Sequence, residues 1–345
     1  MKRPTIADIA REAGVSKGAV SYALNGQPGV SDTTRRRILD IAAAWEFRAN
    51  SAARALAGAA SHVVGLTLHR PPKTLGIEPF FMELISGLEA ELSIHDYALL
   101  LHMVPDHAAE VAVYQRWWAD RSVDGVLVCD LRIGDGRVAA LAELGLPAVV
   151  IGPPSASGSL ASIWSDDEIS LVEAVEYLAA LGHRRIARIG GIPDLVHTSI
   201  RTDAFSRVCR EVPLDSAVTI PTDYTGESGA AATRRILSRP DRPSALIYDN
   251  DIMAVAGLAV AQEMGLSVPG DLSIVAWDDS PICRLVHPPL TALTRDIGAY
   301  GTHAARLLLA AIGGELALDS AAVSVHDEPA RLVPRGSTAP PVTAA

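Results

Sequence analysis

From residue 63 onward, short apolar runs alternate with longer stretches of helical periodicity, and this alternation constrains the fold more than any other feature. The first series of runs is Val63–Leu68, Ala98–His102, Gly125–Cys129 and Ala148–Ile151, with helical stretches near 80–93, 108–119 and 136–144. The second series is Ile163–Trp164, Ile186–Ile189, Val218–Ile220, Ala245–Tyr248 and Leu272–Ala276, with helical stretches near 167–181, 198–211, 227–237 and 251–264. Such alternation predicts parallel sheets covered by helices on both faces. Two series in tandem therefore predict an α/β core of two doubly wound lobes.

The first helix of a separate, all-α head is predicted after Thr5. Apolar residues recur at helical spacing at Ile6, Ile9, Ala10 and Ala13. Thr5 is suited to the N-cap, with Asp8 as its capping-box partner, and Gly14 ends the helix because it accepts the positive φ of a tight turn.

Two further helices complete the predicted head. Ser16 caps Lys17–Leu24, and Ser31 caps Asp32–Glu46. The inner face of the third helix is predicted to be Ile38, Ile41, Ala42 and Trp45. Two short helices joined by a glycine turn, with a third closing the core, are typical of a DNA-binding helix-turn-helix, although a plain three-helix packing module shares the pattern. The outer face of the second helix favours the DNA reader, because Lys17, Gly18, Ser21 and Tyr22 leave it able to enter a groove.

Charge is divided unevenly along the chain of 345 residues, whose net charge is −10. Residues 1–60 hold nine Lys or Arg against five acids, so the head is +4 and the remainder is −14. A basic head on an acidic body suggests that only the head meets phosphate.

The sequence has no apolar run long enough to span a membrane and no signal-peptide core, so we expect a cytoplasmic, nucleoid-associated protein. Its three cysteines match no metal spacing and are predicted to be buried thiols.

The segments IADIAREAGVSKGAVSYALNG and VSDTTRRRILDIAAAWEFRANSAARALAG resemble the head of the lactose-repressor (LacI/GalR) family of transcriptional regulators. The resemblance implies a helix-turn-helix DNA-binding domain over residues 1–49, with Lys17 and Gly18 opening the recognition helix in the major groove. Many members have arginine where this chain has Tyr22, and tyrosine offers only one hydroxyl and a ring for a thymine methyl. The resemblance therefore implies the docking mode but does not assign the operator's inner bases. Further DNA-contacting or capping positions that it implies are Thr5, Ser16, Ser21, Asn25, Thr33 and Arg36.

Residues 50–60 are predicted to be a hinge helix and linker. From its composition alone, Asn50–Ala57 is equally well a plain linker. The resemblance implies instead that two such helices fold together on the operator and insert Leu56 into a minor-groove base step. One short helix of this composition is unstable alone, so its folding depends on DNA and on the partner subunit. The implied DNA-contacting residues are Asn50, Ala53, Leu56 and Ala57.

The body resembles the same family through EPFFMELISGLE, LGHRRIARIGG, RTDAF, SALIYDNDIMAVAG, VPGDLSIVAWDD and PPLTALTRD. This implies a type I periplasmic-binding-protein-like core over residues 61–335, with three crossovers and an effector between the lobes. The N-lobe is expected at about 61–161 and 292–321, and the C-lobe at about 162–291 and 322–335. Residues 336–345 are Pro-rich without periodicity and are predicted to be a disordered tail.

In doubly wound lobes, ligands bind beyond the carboxyl ends of the strands, where this chain places several polar side chains. Two of them, Asp167 and Asp251, are predicted to be helix N-caps. The resemblance implies that Arg201 and Asp278 grip a sugar's hydroxyls or a purine's polar edge. The complete set of predicted effector-binding residues is Phe80, Phe81, Trp164, His197, Arg201, Tyr224, Asn250 and Asp278. Where the lactose repressor has an acidic sugar contact, this chain has Gly152, so a galactoside pose is not assumed.

The favoured function is a repressor whose operator affinity is controlled by a small effector, most simply a sugar that induces. Corepression, and a solute-binding protein for a sugar or nucleoside, are the alternatives. The motifs typical of an α/β enzyme are missing: the α/β body has no G-x-S-x-G, and the sequence has no phosphate loop and no H-E-x-x-H. The adjacent carboxylates Asp278 and Asp279 do not require acid–base catalysis, because a capping role for one of them explains the pair.

The expected partners are pseudo-palindromic operator DNA and a second copy of the chain. A homodimer is expected because the sequence has no leucine heptad of the kind that makes some members of the family tetramers. No cofactor or metal is expected.

Overall fold

A computed structural model describes residues 4–24, 26–45, 47, 60–70, 78–316 and 322–342. The chain divides into two compact units, one containing the helical head and one containing both α/β lobes. Five predicted DNA-contacting residues lie outside the described residues: Asn25, Asn50, Ala53, Leu56 and Ala57.

The head contains three helices, α1 (Ile6–Ala13), α2 (Lys17–Leu24) and α3 (Asp32–Ala44). The Thr5 side chain accepts a hydrogen bond from the Asp8 backbone N–H, and the Asp8 carboxylate accepts one from the Thr5 N–H, which confirms the capping box. Gly14 ends α1 at φ +62°, as predicted. The hydroxyls of Ser16 and Ser31 cap α2 and α3 at 3.1 and 3.3 Å. The local sequence therefore determines where each helix begins.

The core of the head is small and apolar, and its fully buried members include Ile9, Val20 and Ile38. The prediction that Trp45 lies on the inner face of α3 is wrong. The helix ends at Ala44, and Trp45 remains 36% exposed. Its backbone leaves the helical path at the C-cap, so the helical periodicity no longer directs its ring inward.

The N-lobe is an all-parallel six-stranded sheet in the order β11-β5-β4-β3-β1-β2. Its strands are β1 (Val63–Leu68), β2 (Ala98–Met103), β3 (Gly125–Val128), β4 (Ala148–Ile151), β5 (Ala161–Ser165) and β11 (Ser324–Asp327). The lobe's helices are α4 (Pro79–Ile94), α5 (His107–Ala119), α6 (Gly136–Leu144) and α12 (Ile297–Ile312), and a 3-10 turn spans Pro154–Ala156.

The C-lobe sheet has the order β12-β10-β9-β8-β6-β7, with only β12 antiparallel. Its strands are β6 (Arg185–Gly190), β7 (Ser216–Pro221), β8 (Ala245–Tyr248), β9 (Ser273–Trp277), β10 (Thr291–Thr294) and β12 (Arg331–Val333). Its helices are α7 (Asp167–Ala180), α8 (Val196–Glu211), α9 (Gly226–Leu237), α10 (Asp251–Glu263) and α11 (Pro281–Leu285). Two buried clusters cover opposite faces of this sheet, as a doubly wound fold requires.

Close backbone contact joins α4 and α12 on one face of the N-lobe. A Cβ on Gly87 would lie 1.9 Å from the carbonyl oxygen of Gly298, and one on Gly301 would lie 2.4 Å from that of Leu84. Any larger residue at these two positions would force the helices apart. The glycines therefore set the distance between a helix near the start of the core and a helix near its end.

The crossovers between lobes lie a few residues later than expected. Strand β5 ends at Ser165 in the N-lobe sheet, β10 ends at Thr294 in the C-lobe sheet, and β11 ends at Asp327 in the N-lobe sheet. The expected boundaries near 161, 291 and 321 therefore assigned all three strands to the wrong lobe. The sequence did not predict the elements after residue 290, which are β10, α12, β11 and β12. The strands β11 and β12 escaped prediction because they are short and partly exposed.

The prediction of a disordered tail is wrong for residues 336–342. Ser337 is fully buried, and its hydroxyl donates to the Ile274 carbonyl at 2.6 Å. The Ala339 N–H donates to the Ser273 hydroxyl at 3.1 Å. Small polar residues thus hydrogen-bond the start of β9, a role that composition alone does not reveal.

Candidate functional site

The outer face of α2 is the candidate DNA-binding surface of the head. Lys17 and Gly18 are exposed and Tyr22 is 48% exposed, whereas Val20 and Ala23 on the opposite face are buried. A Cβ on Gly18 would meet only the Ser16 hydroxyl, at 3.8 Å. The first turn of α2 is therefore sterically open on its outer side.

The three consecutive arginines of α3 have different roles. Arg35 donates to the carbonyls of Tyr22, Ala23 and Gln27 at 2.5 to 3.4 Å and so ties α3 to the end of α2. Arg37 donates to the Ala13 carbonyl at 2.6 Å. Arg36 is exposed, as is Thr33. Of the three, Arg36 is the one that donates to no backbone carbonyl of a described residue.

All eight predicted effector-binding residues line one cavity of about 410 Å³ between the N-lobe and the C-lobe. Gly152 and the two prolines after it line the same cavity. Three non-glycine lining residues, Asp130, Tyr224 and Asp278, have positive φ values of +52°, +70° and +65°. Strained backbone of this kind concentrates at ligand sites, where the surrounding structure holds it in place.

Arg201, from α8, is held on three sides. Its Nε donates to the Asp167 carboxylate at 2.9 Å, and one terminal nitrogen donates to the Asp249 carbonyl at 3.2 Å. Its guanidinium lies over the Trp277 ring. Behind it, fully buried Arg188 binds the Asp249 carboxylate through two nitrogens. The guanidinium of Arg201 is therefore fixed in position before any ligand arrives.

Asp278 follows β9 and presents its carboxyl group to the cavity. Its Oδ1 is buried and accepts no hydrogen bond from a described residue. Burial raises the pKa of Asp278 to about 7, since desolvation outweighs the attraction of Arg295. The neighbouring Asp279 instead accepts from Arg335 at 2.8 Å. The two carboxyls point apart, and the N-cap of α11 is Ser280, so the capping role suggested for one of the pair is wrong.

Tyr224 and His197 form a hydrogen-bonded wall of the cavity. The Tyr224 hydroxyl lies 2.9 Å from His197 Nε2 and 2.8 Å from the Thr198 hydroxyl. Burial lowers the pKa of His197 to about 4, so the imidazole is neutral at physiological pH. Gly191 is required beneath the ring, because a Cβ there would lie 1.9 Å from the Tyr224 ring carbon that carries the hydroxyl.

The predicted helix caps at Asp167 and Asp251 are each off by one residue. The N-cap of α7 is Asp166, and that of α10 is Asn250. Asn250 Oδ1 accepts from the Met253 N–H at 2.8 Å, and its amide nitrogen donates to the Tyr224 carbonyl at 3.0 Å. Asp167 is consequently free to pair with Arg201. One Asn250 N–H remains for a ligand.

The aromatic residues come from both lobes. Phe81 is buried, Phe80 packs against its edge with ring centres 5.3 Å apart, and Trp164 is half-buried beside the His326 ring at 4.5 Å. Such faces suit the C–H side of a sugar ring.

Sequence reasoning missed the charged residues that the N-lobe contributes. Arg70, which follows β1, pairs with the Asp130 carboxylate at 2.8 Å and lies 3.6 Å from Glu78. Desolvation raises the pKa of the buried Glu78 to about 7 despite Arg70. A charged residue directly after a strand was the available signal for Arg70 and Asp130. Nothing in the local pattern marks Glu78 as buried.

Arg295 was also missed, although it follows β10 at a crossover between the lobes. Its guanidinium carbon lies 5.6 Å from the Phe80 ring centre and 5.0 Å from that of Tyr300, both in the N-lobe. Its Nε is buried and has no hydrogen-bond partner among the described residues. Arg295 therefore lines the cavity beside both aromatic rings.

A short backbone bridge joins the lobes at the edge of the cavity. The Val196 N–H donates to the Leu131 carbonyl at 2.8 Å, and the Ile133 N–H donates to the Asp194 carbonyl at 3.0 Å. Arg132 adds an ion pair to the Asp194 carboxylate at 3.3 Å. We call these residues, 131–133 and 194–196, the interlobe bridge.

Two classes of site are not found in the part of the chain that the structure describes. It contains no group of three or more His, Cys, Asp or Glu side chains that would hold a metal ion. No described helix is both long and apolar enough to cross a membrane.

Comparison with known proteins matches both parts of the chain. Residues 5–50 match the profile of bacterial regulatory proteins of the lacI family, and residues 175–338 match a periplasmic binding protein-like domain. The transcriptional regulator MalR of Streptomyces coelicolor is 32% identical over 347 residues, which covers 97% of this chain and 96% of the relative.

Two solved structures share the architecture. A LacI family transcriptional regulator from Bifidobacterium animalis subsp. lactis is 38% identical, with a TM-score of 0.75 over 82% of this chain and all of that one. A complex of the transcriptional regulator CelR with cellobiose is 28% identical, with a TM-score of 0.73 over 97% of this chain and all of that one.

Proposed function

The chain belongs to the LacI family of DNA-binding transcriptional regulators, and from this premise we propose that it is a repressor released from its operator by a sugar-like effector. The observation that carries the effector proposal is the meeting of eight predicted side chains from both lobes in one cavity. Such a ligand contacts both lobes at once, so its binding energy depends on their separation. We propose no catalytic activity, and the relatives are likewise named as regulators.

The chemistry of the cavity suits a polyhydroxylated ligand. Guanidinium, carboxyl and amide groups are set among aromatic faces, which matches alternating hydroxyls and C–H surface. The solved relative in complex with cellobiose supports a sugar as the ligand class. Because Gly152 and prolines line the cavity where the lactose repressor has an acidic sugar contact, we do not assign the sugar as a galactoside.

Control of DNA binding requires a link between cavity and head. We propose that the protein acts as a homodimer on a pseudo-palindromic operator, and that residues 50–57 form hinge helices only on DNA. Effector binding changes the spacing of the N-lobes and so the hinge-folding equilibrium. A ligand shifts that equilibrium only by its differential affinity for the two states.

The test begins with operator selection from random duplexes by the full-length protein. Fluorescence anisotropy on the selected operator then measures affinity with and without a panel of mono- and disaccharides and nucleosides. We expect one compound class to raise the melting temperature and to weaken operator binding. A ligand that strengthens operator binding would establish corepression instead. A protein that selects no sequence at all would refute the proposal.

A further inference from the structure

We propose that the effector carries a basic nitrogen on its polyhydroxylated frame, and that this nitrogen binds between Glu78 of the N-lobe and Asp278 of the C-lobe. The inference rests on the proposed function, because it concerns the ligand of the same cavity. It specifies the ligand class more narrowly than a sugar in general.

Most carboxylates that line the cavity already have a partner. Asp130 pairs with Arg70, Asp167 with Arg201, and Asp249 with the buried Arg188 behind the cavity wall. Glu168 pairs with Arg207. Asp166 accepts two backbone N–H bonds at 3.1 Å as the cap of α7. A ligand therefore does not have to neutralise these five carboxylates.

Glu78 and Asp278 differ from these groups in hydrogen bonding. The Glu78 side chain is 9% exposed and lines the cavity, and its Oε2 lies 3.6 Å from Arg70 Nε in an ion pair, yet this oxygen accepts no hydrogen bond from a described residue. Glu78 stands at the N-cap of α4 but makes no side-chain bond to that helix. Asp278 Oδ1 is likewise buried without a hydrogen bond, and no described cation forms an ion pair with this carboxyl. Both carboxyls thus offer an acceptor oxygen toward the cavity.

The charge of the cavity favours a cation. Asp251 is a third lining carboxyl, and the described lining residues leave only Arg295 outside an ion pair. The guanidinium of Arg295 is occupied by the ring faces of Phe80 and Tyr300. Glu78 shares Arg70 with Asp130, and no ion pair of a described residue involves Asp251 or Asp278. Carboxyls therefore outnumber guanidiniums around the cavity, an excess that a bound ammonium would offset.

Repulsion between these carboxyls adds to the effect of burial on their pKa values. Asp278 and Asp251 both contribute to the raised pKa of Glu78, and Asp251 contributes to that of Asp278. An ammonium between them would restore the ionised forms and donate charge-assisted hydrogen bonds. A hydroxyl would donate only a neutral hydrogen bond, and a carboxylate on the ligand would add a like charge. The expected order of affinity is amine, then neutral compound, then acid.

The test uses matched probes on the full-length protein near pH 7. Tris(hydroxymethyl)aminomethane is compared with neutral 1,1,1-tris(hydroxymethyl)ethane, which has a methyl group in place of the ammonium, and with the anion tris(hydroxymethyl)acetate, which has a carboxylate there, at equal concentration and ionic strength. D-glucosamine, D-glucose and D-glucuronate form a second series. We expect the amine of each series to bind about tenfold more tightly than its neutral counterpart by calorimetry. The isosteric variants Glu78→Gln and Asp278→Asn should remove that preference.

Two results would overturn the inference. One is a neutral or acidic probe that binds as well as its amine, including the case in which no member of either series binds. The other is an amine preference that persists unchanged in both variants. Melting curves without ligand verify that the variants fold.

Operator binding separates this inference from the function on which it rests. If a neutral sugar binds best and releases operator DNA, the amine inference fails and the effector-controlled repressor stands. If an amine binds preferentially but leaves operator affinity unchanged, the cavity preference stands and effector control of repression fails.

Discussion

The guanidinium carbon of Arg201 lies 3.6 Å from the centre of the Trp277 ring. Trp277 is fully buried at the end of β9, and Arg201 comes from α8. The planar guanidinium stacks on the ring while Asp167 and the Asp249 carbonyl hold two of its nitrogens. Stacking and forked hydrogen bonding together require arginine, because lysine has neither the planar surface nor the geometry. The contact therefore fixes the direction in which the remaining N–H groups point.

The substitution Arg201→Lys should abolish the effector response while operator binding persists. Lysine keeps the charge near Asp167 but loses the stack and the fork, so effector affinity should fall at least about tenfold. Arg201→Ala should in addition destabilise the protein by about 3 kcal/mol, because it leaves the carboxylate of Asp167 buried and unpaired. Urea unfolding and operator anisotropy measure the two effects. An effector response retained by Arg201→Lys would contradict this account.

Local sequence predicted the parts of the fold that local chemistry determines. The Thr5 capping box and the positive φ of Gly14 follow from short-range hydrogen bonding and steric freedom. The strand-helix alternation located the nine strands that precede residue 280. Position after a strand identified Asp278 and Asn250 as residues at the cavity. The effector-binding role of these residues stays a prediction.

The rest depends on contacts between distant parts of the chain. Arg295 reaches the cavity because the chain crosses to the N-lobe after β10, and that strand is only four residues long. Trp277 has the pattern of a core residue, and nothing local shows that Arg201 lies on its face. Glu78 is buried at the start of α4, which its local sequence does not indicate. The ordered tail at Ser337 depends on free hydrogen-bonding groups of β9, which the sequence does not mark.

Protein stability should depend on pH through Glu78 and Asp278. Both pKa values are raised to about 7 from ordinary values of 4.5 and 3.8, so the folded state binds more protons than the unfolded state between those values. Stability from these groups is therefore present at low pH and falls as pH rises toward 7. The charged groups that face Glu78 are Arg70, Asp130, Asp251 and Asp278, and those that face Asp278 are Arg295, Asp251, Arg201 and Asp167.

The double variant Glu78→Gln with Asp278→Asn removes both titrations. Its stability relative to the wild type should rise by on the order of 3 kcal/mol between about pH 5.5 and about pH 8, as measured by urea unfolding. Glu143→Gln is the matched control, since Glu143 is an exposed carboxyl on α6. A pH profile shared by the wild type and the double variant would show that these carboxyls ionise normally.

In the head, Gly18→Ala should separate helix stability from DNA binding. The added methyl group has open space, so it should stabilise α2 by about 0.5 to 1 kcal/mol. If the first turn of α2 approaches bases closely, the same methyl group should weaken operator affinity about tenfold. Leu39→Ala on α3 is a control at an exposed position outside the predicted DNA-contacting set. Anisotropy and thermal melting distinguish the effects, and unchanged operator affinity would place the contact surface elsewhere.

The hinge proposal predicts that Leu56→Ala weakens operator binding and reduces DNA bending. Removing the inserted side chain leaves the base step stacked, so the wider contact that a bend permits is lost. Gel mobility of circularly permuted operator fragments reports the bend. Val342→Ala, at an exposed residue near the end of the chain, provides a comparison. Equal affinity and bending in wild type and Leu56→Ala would show that residues 50–57 are only a linker.

The interlobe bridge gives a direct test of how the lobes are held. Val196 is the first residue of α8, where proline fits a helix and where its missing N–H leaves no intrahelical bond unmade. Leu195, before it, has φ −80° and ψ 135°, which a following proline tolerates. Val196→Pro therefore removes the hydrogen bond to Leu131 without breaking the helix, while Val196→Ala keeps it.

The Ile133 N–H, bonded to the Asp194 carbonyl, should lose protection from hydrogen exchange in the proline variant alone. Loss of about 1 kcal/mol from the bridge should also weaken effector binding several-fold, because the ligand would then have to supply more of the free energy of closure. If exchange at Ile133 were the same in both variants, the bridge would not be a cooperative unit, and the cavity would be held closed by other contacts.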